Sequence, residues 1–146
     1  MHKLLLTIIF TITSMMSFAE SLSGDVFKSP TCGCCNAWIE HMNNAGFALN
    51  GKNTAQLGAI KTQLGIPTSA QSCHSAVIND YVFEGHIPAN VVKQFLDNPL
   101  PNAIGLSVPG MPVGSPGMEM GKRHDDYAVM VLYKDGTVDE YAFIAK

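Results

Sequence analysis

The sequence predicts an α/β protein of order β-α-β-α-β-β-α, followed by a proline-, glycine- and methionine-rich extension and a terminal β-hairpin. Three observations carry this. Apolar residues at helical spacing recur around Trp38, Ile60 and Val92, and short apolar runs that read as strands lie between them. Two of those runs meet at Asn79-Asp80, as the arms of a hairpin do. The composition changes at Asn98, beyond which most of the prolines lie.

The first nineteen residues, MHKLLLTIIFTITSMMSFA, have a basic start (His2, Lys3), an apolar run from Leu4 to Ile12, and small residues Ser17 and Ala19 at the −3 and −1 positions of a cleavage site. They read as a secretory signal peptide. The apolar run is shorter than the ~20 residues of a membrane span, and Thr7, Thr11 and Thr13 dilute it. Cleavage near Ala19 leaves 127 of the 146 residues, one domain with an appendage, exported to the periplasm and free of the membrane.

Asp25 to Lys28 is extended and leads through Ser29-Pro30-Thr31 into CGCC, after which Trp38, Ile39, Met42 and Ala45 mark a helix that Gly46 ends. Phe47 to Leu49 forms a second strand. Thr54 is placed to cap a second helix with Leu57, Ile60 and Leu64 on its apolar face and Gly65 at its end. SAVIND and YVFEG pair as a hairpin. Pro88 opens a third helix that buries Val91, Val92, Phe95 and Leu96, and Pro99 stops it. From Asn98, NPLPNAIGLSVPGMPVGSPGMEMG is expected to hold no helix or strand. Tyr127 to Tyr133 and Thr137 to Ile144 then pair around Lys134-Asp135-Gly136.

This order, with CxxC after the first strand and GIPT before the third, resembles the thioredoxin and glutaredoxin fold. On that resemblance residues 20–98 are the thioredoxin-like domain, and 99–146 are an extension that packs on it. The place a proline holds opposite CxxC in that fold falls either to Pro67 or to Cys73.

Without the leader the chain has 8 basic and 12 acidic residues, no basic run and no aromatic-basic interleaving, so nucleic acid is not an expected partner. The chain has 4 cysteines, and three of them lie in one tetrapeptide. Cysteines that staple a fold are spread along a chain, so this clustering points to chemistry.

Cys32 and Cys35, spaced i, i+3, bring both sulfurs to a helix N-terminus, where backbone N–H groups and the helix dipole favour thiolate. Such a thiolate attacks a disulfide or binds a metal equally well. A dithiol oxidoreductase needs one attacking and one resolving cysteine, so the third thiol, Cys34, favours metal. Cys73 joins them if its loop packs across from the first helix. Converging thiolates suit Cu(I), Zn(II) or an iron-sulfur cluster. Met111 and Met118 of two Pro-Gly-Met repeats, with Met120 beyond, add thioethers that favour copper over zinc. Of the histidines, His86 is the candidate ligand, with His74 its alternative. His41 and His124 are expected to face solvent.

SPTCGCCNAWIEHM, GIPTSAQSCHSAVINDYVFEGHIPA and AIGLSVPGMPVGSPGME together resemble the CopG family of periplasmic copper-resistance proteins, marked by a CxCC motif. The resemblance spans nearly all of the chain beyond the leader. It implies a thioredoxin-like domain whose extension contributes to metal binding, a copper site built on cysteine sulfur, and interconversion of Cu(I) and Cu(II) in detoxification. Residue by residue, it carries over to Cys32, Cys34, Cys35, Cys73, Met111 and Met118. The expected assembly is a monomer that receives copper from, or passes it to, a periplasmic chaperone or efflux system. Two rivals stand beside a multinuclear copper centre: a thiol-disulfide oxidoreductase with catalytic Cys32 attacking and Cys35 resolving, and a Cu(I) carrier without redox chemistry.

Overall fold

The computed structural model describes residues 22–145, so the leader lies outside the described residues. The elements are β1 (Leu22–Lys28), α1 (Gly33–Asn44), β2 (Phe47–Asn53), α2 (Leu57–Gln63), a 3-10 turn at Thr68–Ala70, β3 (His74–Ile78), β4 (Tyr81–Glu84), α3 (Ala89–Asp97), β5 (Ala103–Ser107), β6 (Tyr127–Tyr133) and β7 (Val138–Ile144). The protein is a mixed α/β fold with one seven-stranded sheet, ordered β2-β1-β3-β4-β5-β6-β7. β1 runs parallel to β2 and antiparallel to β3, and β4 runs antiparallel to β3. Among the described residues no helix is long and apolar enough to cross a membrane.

The element order expected up to α3 is the order found. Gly46 and Gly65 follow α1 and α2 at φ +94° and +74°, the left-handed conformation that closes a helix without a Cβ penalty. Asn79 and Asp80 both have positive φ, which suits the two-residue turn of the β3–β4 hairpin. Strand side chains alternate between two faces. One face packs Val26, Ala76, Ile78, Phe83 and Leu106 against Trp38 and Met42 of α1 and Val91, Val92 and Phe95 of α3. The other face, with Val82 and Leu132, packs on Ile66 and Ala70 beside α2.

Four expectations are corrected. The segment after Asn98 does contain a strand, β5, parallel to β4 and antiparallel to β6. Pro101 and Pro109 lie outside its ends, so every residue of Ala103–Ser107 keeps its N–H, and the prolines delimit the strand without breaking it. In α2 the apolar residues Leu57, Ile60 and Leu64 are only half-buried, and the buried residue is Lys61. The helix starts at Leu57, and the Thr54 hydroxyl accepts from the Gln56 N–H, a turn before the helix. His41 is half-buried, and its Nε2 accepts the Ala89 N–H at 3.2 Å, serving an otherwise unpaired donor at the start of α3.

Candidate metal centre

The centre forms where α1 begins. Cys32 occupies the N-cap in an extended conformation, so Cys34 and Cys35 fall in the first turn, where N–H groups have no helical partner. Cys35 is fully buried, whereas Cys32 and Cys34 are half-buried. Cys32 and Cys35 are joined in a disulfide, leaving Cys34 and Cys73 as free thiols. Cys34 Sγ lies 3.5 Å from Cys32 Sγ, and Cys73 Sγ lies 3.7 Å from Cys35 Sγ. All four sulfurs stand within 4.8 Å of one another. Cys73 is therefore the residue that faces the CGCC turn, and Pro67 sits before the 3-10 turn.

Cys73 also faces imidazoles. Its Sγ lies 2.9 Å from His86 Nε2 and 3.3 Å from His74 Nδ1. His86 Nδ1 lies 2.7 Å from the carbonyl of Pro116, which only accepts, so Nδ1 carries the proton and Nε2 accepts from the Cys73 thiol. A partner on the far ring nitrogen is what orients a metal-ligating histidine. Pro116 belongs to the second Pro-Gly-Met repeat.

Burial, followed by the neighbouring Cys34 thiol, pushes the Cys73 thiol up to about 12. Burial also holds His74 well below the ordinary imidazole range, helped by His86 and Lys61, and lowers His86 against the opposing Pro116 carbonyl. The site thus presents neutral imidazoles and a thiol that gives up its proton only to a cation. Soft sulfur and neutral nitrogen with no carboxylate in the group fit copper binding.

Both Pro-Gly-Met segments are tied to this centre through their backbones. Gly110 pairs with Ser72 as a bridge, and the Ser72 hydroxyl donates to the Gly110 carbonyl, one residue before Cys73. Gly117 sits at φ +84° against α1, where a Cβ would meet the Cys34 carbonyl and the Trp38 nitrogen at 2.8 Å each. Only glycine permits that approach. Met118 is half-buried, while Met111 is 52% exposed.

Sequence reasoning missed a polar network behind the sulfurs. Glu84 and Lys61, both buried, form an ion pair. The same carboxylate accepts the Ser72 N–H at 2.6 Å and the Ser75 hydroxyl at 2.5 Å, and Lys61 donates to Ser75 at 3.0 Å. This pins the residue before Cys73 to the strand end that leads into His86. The signal was an acid closing the apolar run YVFE. Trp38 adds a second hold by donating to the Ile87 carbonyl at 2.9 Å. His124, expected in solvent, is half-buried and stacks on Tyr127.

Fold and site define an α/β protein with a thiol-rich candidate metal centre at the start of its first helix. A family model described as "Protein of unknown function, DUF411" matches residues 70–118, which span Cys73, His74, His86 and both Pro-Gly-Met repeats. Two solved structures, forms 2 and 1 of a copper resistance protein CopG, are 40% and 41% identical, with TM-scores of 0.82 and 0.81. They cover 86% and 87% of this chain, and the chain covers 100% of each. No curated protein matches. The chain belongs to the CopG family of copper resistance proteins.

Proposed function

We propose that the chain is a periplasmic protein that holds copper in a multinuclear cysteine-thiolate centre and interconverts Cu(I) and Cu(II) in copper resistance. The observation that carries this is the convergence of Cys32, Cys34, Cys35 and Cys73 within 4.8 Å. Sulfurs so close crowd negative charge when ionised, and each added cation relieves it. Bridging by more than one Cu(I) follows from that crowding. His86 supplies an imidazole, and Met111 and Met118 supply thioethers from the extension 99–146, which completes the site of the thioredoxin-like unit 20–98. Bound copper supplies a one-electron couple. Cys32 and Cys35 hold two electrons as a dithiol and none to give as the disulfide. The chain acts as a monomer that exchanges copper with a chaperone or an efflux system.

Anaerobic titration of the reduced full chain with Cu(I) tests the reading. More than one Cu(I) per chain is expected, with a lower stoichiometry for Cys34→Ser and no comparable affinity for Zn(II). Unchanged stoichiometry in Cys34→Ser, or zinc bound as tightly as copper, overturns it.

The Cys32–Cys35 disulfide favours a second reading, a thiol-disulfide oxidoreductase. In that case metal-free protein reduces insulin disulfides, and the turnover survives Cys34→Ser and loss of both methionines. The copper reading expects no such turnover.

A further inference from the structure

Cys73 belongs to two donor groups. One is the four sulfurs, and the other is Cys73 with His74 and His86, whose ligand atoms also lie within 4.8 Å of one another. Disulfide formation between Cys32 and Cys35 takes two sulfurs from the first group and touches nothing in the second. We infer that the disulfide form retains a mixed-donor metal site, Cys73–His74–His86, that takes a borderline divalent cation such as Zn(II) or Co(II) in place of Cu(I). The inference rests on the copper reading and shares Cys73 and His86 with it.

Geometry supports the site. Around a tetrahedral ion with M–S about 2.3 Å and M–N about 2.0 Å, sulfur and nitrogen stand about 3.5 Å apart. The sulfur-to-nitrogen contacts here are 2.9 Å to His86 and 3.3 Å to His74, so admitting an ion needs movements well under about 1 Å. His86 is already turned by the Pro116 carbonyl to present Nε2.

His74 is the second imidazole. It is fully buried beside Trp38, and its Nδ1 is the nitrogen that lies against the Cys73 sulfur, with its ring perpendicular to that of His86.

The donor set decides the cation. With one thiolate and two imidazoles the site is harder than a set of three or four thiolates, which shifts preference from Cu(I) to borderline divalent ions. The fourth position is left to water, as at three-ligand zinc sites. Binding exchanges the Cys73 thiol proton for the ion. One proton leaves to solvent for that thiol, and nothing is oxidised or reduced.

Two full-chain proteins test this: the wild type with its disulfide intact, and Cys32→Ser/Cys35→Ser, which lacks those sulfurs in any redox state. Each is titrated with Co(II), whose absorption reports thiolate ligation and tetrahedral geometry. Both are expected to bind one Co(II) per chain with a thiolate charge-transfer band that Zn(II) bleaches. Cys73→Ser removes the band, and His74→Gln weakens binding at least tenfold. No stoichiometric Co(II), or unchanged affinity in His74→Gln, overturns the inference. Because variants of a buried histidine risk misfolding, X-ray absorption at the cobalt edge of the parent counts ligands directly. Two imidazoles with one sulfur are expected, and any shell without imidazole refutes the site. Cu(I) titration of reduced wild type runs in parallel. Normal Cu(I) binding without a Co(II) site sinks this inference alone, and a Co(II) site without Cu(I) binding sinks the four-sulfur reading alone.

Discussion

The sheet is packed in two ways. Beneath α3 it is purely apolar: Phe95 meets Tyr81, Phe83 and Tyr141 edge-on, with ring centroids 5.1 to 5.9 Å apart. At the start of α1 it is polar and buried, with His74 and His86 at the sulfurs and Glu84, Lys61 and Ser75 on the opposite face. The aromatic region needs only shape and volume. The polar region needs every donor matched to an acceptor, because an unpaired buried group costs more than a hydrogen bond returns.

The comparison predicts separable failures. Phe95→Ala is expected to destabilise the protein by about 4 kcal/mol through a cavity, while copper bound per folded chain stays at the wild-type value. Thermal melts with metal analysis of the folded fraction read both. A matching drop in copper per folded chain would mean that the two regions are one unit.

Lys61→Met strands the buried Glu84 carboxylate and is expected to cost about 3 kcal/mol. Unlike Phe95→Ala, it also weakens copper binding by loosening Ser72 and with it Cys73. Adding Glu84→Gln removes the charge, keeps an acceptor for the Ser72 N–H, and recovers part of both losses. A double-mutant cycle without such recovery would remove the network from the site.

The polar region should make stability depend on pH on both sides of neutrality. His74 folds with its imidazole pKa depressed, so the unfolded chain binds the extra proton and stability is lost as pH falls below about 6.5. The slope for that group is about 1.4 kcal/mol per pH unit. Cys73 has the opposite sign. Its folded pKa is raised to about 12, so metal-free protein loses stability as pH rises from the ordinary thiol value of 9.0 towards that figure. Urea melts of metal-free wild type across this range should give a dome that Cys73→Ser flattens on the alkaline side.

The smallest effect is expected at Met111, exposed on the first Pro-Gly-Met repeat. Met111→Leu keeps shape and should change stability by less than about 0.5 kcal/mol. A several-fold loss of Cu(I) affinity in a chelator competition would still identify its thioether as a ligand, and no change would confine it to the surface.

Much of the site was legible because it is local. Cys32, Cys34 and Cys35 sit at one helix start, and the GIPTSAQSCH loop carries Cys73 back to them. His86 was named among the candidate ligands, but its partner, a proline carbonyl, has no signature in side-chain chemistry. Lys61 and Glu84 were invisible as a pair, since each looks like an ordinary charged residue until both are buried. β5 was hidden by the prolines at its borders.

By itself the sequence determined the order of the elements up to α3, the turn at Asn79-Asp80 and the placing of three thiols at the mouth of α1. Those depend on side-chain periodicity and on backbone preferences within a few residues. Only the tertiary structure decided that Cys35 meets Cys73 across 38 positions, that Pro116 turns His86 across 30, and that β5 docks parallel to β4. Such contacts are set by how one sheet closes its hydrogen bonds and buries both faces at once, a condition on the whole chain that no short stretch of it contains.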